Sequence, residues 1–315
     1  MQDIEKEIEY CFYINKIKNA KISFLAGDAS NRKYFNVILS KKKLVLMYDD
    51  NHTNLRKFIK VSKYLEKEVS IPKIILNFYK HNILILEDFG DEKYGKILDN
   101  KNKSSLYLLA TKTLIHLQKK NFKLPKYSDE IFLNESNLFF NWYLPFFKKR
   151  KFNKEQRKFN EIFPNFLKKL QLLPKTFVHR DYHIDNLFFL SKRKEIFKCG
   201  LIDYQDALIG PCAYDLVSLT QDARIDVPEK LENFLVDYYL KENSLINNKL
   251  FTYCYKILAI QRHLKVLGIF CRLLVRDKKD SYICHIPRVK KMLQSNLMFS
   301  DFKELKELLT PLIDQ

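Results

Sequence analysis

Three polar residues near the middle of the chain have types and a spacing that suit phosphoryl transfer. Asp181 and Asn186 lie in the segment V-H-R-D-Y-H-I-D-N-L, and Asp203 ends the apolar run C-G-L-I that follows. Phosphoryl transfer needs an aligned acceptor hydroxyl and neutralisation of the phosphate charge by magnesium. Mg²⁺ prefers oxygen ligands and keeps several waters, so one carboxylate and one amide suffice beside the phosphates. The pattern predicts Asp203 and Asn186 as magnesium ligands and Asp181 as the group that accepts the hydroxyl proton.

Other residues of this segment have supporting roles in the same interpretation. His179 is expected to brace the loop by hydrogen bonding. His183 either lies near the acceptor or belongs to the hydrogen-bond network of the loop, and Asp185 has no role if it is simply exposed. A turn that only satisfies backbone groups is the structural alternative. That alternative leaves Asp203 unexplained.

The elements that must position these residues differ between the two parts of the chain. Short β-branched or aromatic runs in the first part predict five strands, 21–25, 34–39, 44–48, 74–79 and 83–86. A helical pattern over 52–68, with its apolar face at Leu55, Phe58, Ile59, Ser62 and Leu65, separates the third strand from the fourth. These elements form a small sheet with one helix packed on it.

From Asp91 onward the apolar periodicity is mainly helical. A short β island over 177–178, 187–190 and 199–202 interrupts it and flanks the reactive segment on both sides. The predicted helices are Lys103–Lys120, Ser136–Lys148, Lys154–Leu172, Tyr214–Gln221, Pro228–Lys241, Asn247–Val275, Tyr282–Asn296 and Asp301–Leu312.

Two segments in the first part are candidates for nucleotide binding. The loop 25–32 joins two predicted strands, and we expect Gly27, Ala29, Ser30, Asn31 and Arg32 to contact phosphates through backbone amides and the Ser30 hydroxyl. Taken alone, this loop is equally an ordinary β-turn. The run L-I-L-E-D-F-G, which contains Glu87, joins the two parts, and its backbone offers an edge for adenine.

Composition favours a globular chain with few tight turns. Hydrophobic residues make up 46% and aromatic residues 14%, which excludes disorder, and the 6 glycines and 9 prolines are too few for a sandwich or barrel. The net charge of +19 suits a nucleic acid, a membrane surface or an anionic substrate. Its lysines are scattered without long blocks, however, so solvated faces explain the charge and no nucleic-acid partner is expected.

The same sequence indicates a cytoplasmic protein without a membrane partner. The first ten residues contain no apolar signal core, and charged residues interrupt the most apolar long segment, 251–275. The six cysteines form no C-x-x-C pair, so we expect free thiols rather than disulfides or a zinc site.

These motifs resemble the aminoglycoside phosphotransferase and choline kinase superfamily. Its members carry H-x-D-x-H-x-x-N followed by an apolar strand that ends in I-D, as do residues 179–186 and 201–203 here. The resemblance implies a monomeric kinase that uses ATP and Mg²⁺. It also implies an α+β, protein-kinase-like bilobal fold. Residues 1–88 would form a nucleotide-binding N-lobe, a small antiparallel sheet with one helix, and 89–315 a larger, mainly helical C-lobe that holds the catalytic loop and the acceptor.

Four further stretches resemble a narrower branch of that superfamily. They are G-D-A-S-N-R-K-Y-F from Gly27, D-Y-Q-D-A-L-I-G-P from Asp203, A-Y-D-L-V-S-L from Ala213 and Q-R-H-L-K-V-L-G-I-F from Gln261. The branch comprises bacterial anomeric kinases, which phosphorylate the C1 hydroxyl of N-acetylmuramate and N-acetylglucosamine in cell-wall recycling. A kinase for an aminoglycoside, choline or another amino alcohol is the alternative within the enzyme class, and a nucleotide-binding pseudokinase is the alternative outside it.

The resemblance also points to residues around the acceptor. Gln205 and Asp206 are candidates for sugar binding, together with His183, unless the pair only caps the following turn. Asp222 and Arg224 are expected to line the same site, with a surface ion pair as the equal alternative. Asp215 resembles the aspartate that supports the catalytic loop from below.

One departure from the superfamily lies on the third strand. Kinase folds carry there a lysine for the α and β phosphates, paired with a helix glutamate. This strand presents Met47 instead, and the helix offers Lys60, Val61 and Ser62 near the glutamate position. We expect Arg32 or a neighbouring lysine to supply the missing positive charge.

Overall fold

The computed structural model describes residues 2–27 and 32–314 and divides the chain into two compact units. One unit combines the chain up to Ile97 with Asp185–Asp206, and the other combines Leu98–Ile184 with the chain from Ala207 onward. The first unit therefore includes a return segment, Asp185–Asp206, which a single division at residue 88 would assign to the second unit. The functional assignment of 1–88 and 89–315 stays a prediction, because compactness does not show which residues bind a ligand.

The first unit is built on a five-stranded antiparallel sheet in the order β1-β2-β3-β5-β4. Its strands are β1 (Lys21–Gly27), β2 (Lys33–Leu39), β3 (Lys42–Tyr48), β4 (Ile74–Phe78) and β5 (Ile83–Glu87). The five strands predicted from the sequence are therefore present, with shifted ends. In register, Met47 of β3 lies opposite Tyr34 of β2 and Leu84 of β5.

A helix that the sequence analysis missed packs on one face of this sheet. Helix α1 (Gln2–Ile14) contributes Ile8, Cys11 and Phe12 to a buried cluster. The sheet side of the cluster consists of alternating strand residues, Phe35, Val37, Leu46, Tyr48, Ile83 and Ile85. The first ten residues read as polar because only one side of this helix is apolar. The unit thus has more than the single helix expected.

Helix α2 (His52–Leu65) follows β3, as predicted, but ends three residues before the predicted end at Glu68. Asn51 caps it, since its side-chain oxygen accepts from the N–H groups of Thr53 and Asn54 at 2.9 and 3.3 Å. Four of the five residues expected on the inner face are buried. Val61 is buried as well, whereas Ile59 is half-buried.

The return segment adds two short strands to the first unit. Strands β7 (Leu187–Phe189) and β8 (Cys199–Leu201) pair antiparallel, and Gly200 forms a parallel bridge with Ser70. The short helix α3 (Tyr94–Ile97) lies beside β7. This pairing confirms the last two strands of the predicted β island.

The second unit is mainly helical. Its strands β6 (Lys175–Val178) and β9 (Leu208–Pro211) form an antiparallel pair, of which only β6 was predicted. The helices are α4 (Lys103–Gln118), α5 (Asp129–Ser136), α6 (Leu144–Lys148), α7 (Asn153–Leu167), α8 (Tyr214–Thr220), α9 (Glu229–Glu242), α10 (Asn248–Asp277), α11 (Ile286–Leu297) and α12 (Lys303–Asp314).

The helix predicted over Ser136–Lys148 is wrong in its extent. The structure has α5, which begins after the cap Ser128, then a π-helical turn at Phe139–Tyr143, and then α6 with Pro145 near its start. The π-helical turn packs on α10 so closely that a Cβ on Gly268 would lie 2.3 Å from the carbonyl of Leu138. The missing side chain of Gly268 therefore permits this contact.

Within residues 2–27 and 32–314, none of the helices combines the length and apolar character that a membrane crossing needs. All six cysteines are free, and only Cys284 is exposed.

Candidate active site

The main chain of the predicted catalytic loop is fixed by a buried aspartate. Strand β6 leads into His179, and the N–H groups of His179 and Arg180 donate to the two oxygens of Asp215 at 2.5 and 3.0 Å. Asp215 lies in the first turn of α8, and burial raises its pKa to about 7 even though both N–H groups favour the charged form. Asp215 therefore has the contacts expected of a loop support.

Asp181 follows a residue in an unusual backbone conformation. Arg180 has φ +77°, in the left-handed region that non-glycine residues rarely adopt. Its carbonyl accepts from Arg262 at 3.0 Å, and its guanidinium pairs with Glu135. The loop then tightens, because the N–H of His183 donates to the Asp181 carbonyl at 3.1 Å.

The charges around Asp181 keep it ionised. Burial raises the pKa of Asp181, but the charges of Lys265, Arg262 and Arg180 hold it well below its usual value. In contrast, burial and then the charge of Arg224 lower the pKa of His183 well below its usual value. A carboxylate and a neutral imidazole are thus available for hydrogen bonding to an acceptor.

Asp222 and Arg224 lie against the same loop. Asp222 is buried and accepts the N–H of Ile184 at 3.1 Å and of Arg224 at 2.9 Å. The Arg224 guanidinium lies 3.7 Å from Asp222, with 18% of its side chain exposed. The surface ion pair considered as an alternative does not describe this arrangement, because the carboxylate is fully buried. Contact with an acceptor stays a prediction for both.

In the first unit, a cavity of about 740 Å³ brings together several residues predicted for nucleotide and metal binding. Gly27, Glu87, Asn186 and Asp203 all line it. The cavity lies entirely within this unit, between the sheet, the segment after β5 and the return segment.

The pairing of β7 with β8 sets the separation of the two predicted metal ligands. The N–H of Ile202 donates to the Asn186 carbonyl at 3.1 Å, which continues the ladder and places Asp203 one residue beyond. Asp203 has φ +63°. In the described part of the chain, no three His, Cys, Asp or Glu side chains are grouped as a metal site. One carboxylate and one amide that line a common cavity fit Mg²⁺, which takes its other ligands from phosphates and water.

Gln205 and Asp206, both predicted to bind sugar, have different environments. Gln205 is buried and donates to Asp203 at 2.8 Å. Asp206 is exposed, and its carboxylate lies 3.9 Å from Lys57 in a pair that is half-exposed on both sides. Their contacts within the first unit thus link Gln205 to Asp203, the predicted metal ligand, and leave Asp206 at the surface.

The predicted phosphate loop is only partly described, because Ala29, Ser30 and Asn31 lie outside the described residues. Arg32 is buried, with its Nε 3.1 Å from an Asp49 oxygen and its guanidinium 6.0 Å from the centre of the Phe58 ring. The side chain of Glu87 pairs with Arg193. Glu87 therefore lines the cavity with its carboxylate already paired to Arg193.

The side chain of Met47, at the strand position where a lysine was expected, is buried, and helix α2 makes a buried hydrogen bond to the segment after Asp203. Ser62 of α2 lies 2.9 Å from the hydroxyl of Tyr204, whose ring stacks on Phe58 at 5.2 Å. Tyr204 directly follows Asp203. Helix α2 is thus attached to the segment that carries Asp203, the predicted metal ligand.

Comparisons with known proteins show the family of this chain. Residues 21–246 match the phosphotransferase enzyme family, APH. The chain belongs to this family. It is 31% identical over 308 residues to the N-acetylmuramate/N-acetylglucosamine kinase of Neisseria meningitidis, covering 93% of this chain and 90% of the relative. It is 30% identical to the protein of the same name from Pseudomonas aeruginosa, covering 94% and 90%.

Solved structures of phosphotransferases share the fold of this APH family chain. ADP-bound aminoglycoside phosphotransferase APH(2'')-Ib superposes with a TM-score of 0.61 at 16% identity, covering 93% of this chain and 98% of the other. Choline kinase LicA from Streptococcus pneumoniae gives 0.61 at 15%, covering 93% and 99%. The predictions of a small-molecule kinase and of an α+β, protein-kinase-like fold are confirmed.

Two groups of residues in this APH family chain were missed by sequence reasoning. Glu135 and Lys265 form an ion pair at 3.0 Å in the second unit, and Tyr204 anchors α2 in the first. Lys265 lies in the stretch that resembles the anomeric kinases, which was the available signal. Glu135 had no signal, because its partners are distant in sequence.

Proposed function

We propose that this chain is an ATP-dependent kinase that phosphorylates the anomeric hydroxyl of N-acetylmuramate or N-acetylglucosamine. The observation that carries the proposal is the match to relatives of that name at about 30% identity over most of both chains. The kinase of Pseudomonas putida supports it at 28% identity over 87% of this chain.

The residues fit the roles that this activity needs. The cavity of the first unit holds the nucleotide, with the base near the segment after β5. There Asp88, Phe89 and Gly90 line the cavity. Asn186 and Asp203 hold Mg²⁺, which neutralises phosphate charge when bound. Asp181 orients the acceptor hydroxyl and accepts its proton.

Lysines of the cavity are better placed than Arg32 to supply the charge missing at Met47. Arg32 is buried and paired with Asp49, whereas Lys43, Lys93 and Lys96 line the cavity. A lysine ammonium is a compact point charge that suits phosphate oxygens. We therefore assign the phosphate-neutralising charge to this group of lysines.

Purified protein incubated with MgATP and single acceptors tests the proposal. We expect ADP release with N-acetylmuramate and N-acetylglucosamine and none with choline or kanamycin. Phosphorus NMR of the product should show a phosphate coupled to an anomeric proton. If only choline or kanamycin supports turnover, that compound replaces the amino sugars as the proposed acceptor. If none of the four acceptors leads to ADP release, the kinase assignment is contradicted.

A further inference from the structure

A cluster of buried charges lies beneath the catalytic loop in the second unit. Its centre is Glu135 of α5, which accepts from Arg180, Lys265 and Tyr127 and, at 3.4 Å, from Gln261. Lys265 and Gln261 belong to α10 and are buried. The cluster therefore joins α5, α10 and the loop through a single carboxylate.

A second cation of α10 reaches the loop backbone directly. Arg262 is 3% exposed and donates to the carbonyl of Arg180 at 3.0 Å. The main chain of Arg180 is thus held at its N–H by Asp215 and at its carbonyl by Arg262, while Glu135 holds its side chain. These contacts fix the main chain of a left-handed residue directly before Asp181, so they restrain the backbone position from which the Asp181 side chain extends.

Packing alone does not account for so many buried charges. Desolvation of a buried ion pair offsets much of its attraction, and apolar residues of equal volume are often as stabilising. Lys265 and Arg262 both act electrostatically on Asp181. The charged groups that face Asp181 are Arg180 of the loop, Lys265 and Arg262 of α10, and Asp215 of α8, and the titratable but neutral His183 lies beside it in the loop.

We propose that Lys265, Arg262 and Glu135 are positioning residues that orient Asp181 for phosphoryl transfer through their contacts with Arg180. The inference rests on the proposed function, in which Asp181 accepts the hydroxyl proton. In that step the acceptor oxygen bonds to the γ-phosphorus, and the bond from the γ-phosphorus to the β–γ bridging oxygen breaks. ADP leaves with that electron pair, and the hydroxyl proton moves to Asp181. A neutral or turned Asp181 cannot accept it.

Replacing Lys265 by methionine removes the charge and keeps the length of the side chain. We expect K265M to lower kcat by about tenfold or more, the range seen for weakened proton transfer, with the KM and Kd of the nucleotide unchanged. K265R should recover most of kcat, because the pair with Glu135 needs a cation. K256M is the matched control, since Lys256 lies on the same helix with its ammonium 5.9 Å from the Phe299 ring.

The outcomes separate this inference from the proposed function. A wild-type enzyme without turnover contradicts the proposed function itself. If the wild type is active and the kcat of K265M is within twofold of the wild-type value, the positioning role is overturned. The same holds if K265R is as slow as K265M. If K265M does not fold, the double variant E135Q/K265M removes both charges. Slow turnover by the folded double variant supports the inference, whereas a normal rate shows that Lys265 serves only to neutralise Glu135.

Discussion

At the scale of single residues, some carboxylates of this chain accept hydrogen bonds from the main chain, whereas another is proposed to contact the substrate. Asp215 and Asp222 each accept two main-chain N–H groups, and all but one of these four belong to the catalytic loop. Asp181 differs, because cations of α10 and of the loop surround it. The side chain proposed to accept a proton is therefore distinct from those that support it.

Replacement of Asp181 by asparagine tests that distinction. D181N keeps the shape but cannot accept a proton, so we expect kcat to fall by about 10² to 10⁴ while nucleotide affinity is preserved. Steady-state kinetics and nucleotide titration measure the two quantities. D280N, at an exposed position, is the control. A D181N enzyme with near-normal kcat would exclude Asp181 as the proton acceptor.

At this scale the sequence predicted residues that lie in one motif and missed residues that are close only in the folded chain. Asp181, Asn186 and Asp203 could be predicted as a group because strands on both sides fix their spacing, and their roles stay predictions. Glu135 is distant in sequence from Arg180 and Lys265, and a lone glutamate in a helical pattern is ordinary. Only the folded chain brings these charges together.

At the scale of elements, helix α2 is attached to the segment after Asp203 by Ser62, Tyr204 and Phe58. The Ser62–Tyr204 hydrogen bond is buried, with 2.9 Å between the oxygens. We expect a double-mutant cycle of S62A and Y204F to give a coupling energy of about 1 kcal/mol, measured by denaturant unfolding. Additive effects would show that the two hydroxyls do not interact in solution.

Gly268 allows the close contact of α10 with the π-helical turn. Alanine normally favours a helix over glycine by about 1 kcal/mol. Here the new Cβ would lie 2.3 Å from backbone atoms of Leu138, so overpacking reverses the sign. We expect G268A to lose about 1–3 kcal/mol of unfolding free energy in urea. A stabilised G268A would contradict the observed helix separation.

Predicted elements fail where the local signal and the tertiary contact differ. Strand β9 was missed because L-I-G-P contains glycine and proline, yet it pairs with β6 through its backbone. The π-helical turn at Phe139–Tyr143 has an unbroken helical periodicity, so sequence alone joined it to its neighbours. In contrast, α10 was predicted almost completely because its apolar pattern is long.

At the scale of the whole molecule, burial determines the pKa values and the reactivity of the cysteine thiols. Burial raises the pKa of Cys11 and Cys212 to about 11 and of Cys254 and Cys271 to about 12. Because the thiolate is the reactive form, we expect one thiol, that of Cys284, to react rapidly with a disulfide reagent in the native protein. All six should react after denaturation, and rapid reaction in C284S would contradict the assignment.

Stability should fall on mild acidification because of a buried histidine. Burial, followed by the charge of Arg262, lowers the pKa of His263 to about 3. The folded state therefore keeps His263 neutral where the unfolded chain binds a proton. The contribution of the neutral His263 to the free energy of unfolding is complete above about pH 6.5. Below that pH the free energy of unfolding decreases by up to about 1.4 kcal/mol per pH unit.

Denaturant unfolding of wild type and H263Q between pH 5 and pH 8 measures this contribution. We expect the wild-type stability curve to drop more steeply than that of H263Q below pH 6.5 and the two to run parallel above it. Parallel curves over the whole range would show that His263 does not titrate on unfolding.

The discontinuity of the first unit limits how the chain can be dissected. A fragment that stops at Ile97 retains the five-stranded sheet but lacks Asn186, Asp203 and Tyr204, all of which line its cavity. Such a fragment lacks part of the lining of the cavity proposed to hold the nucleotide. A minimal nucleotide-binding version of this protein must therefore splice the return segment Asp185–Asp206 onto the first 97 residues, rather than simply truncate the gene.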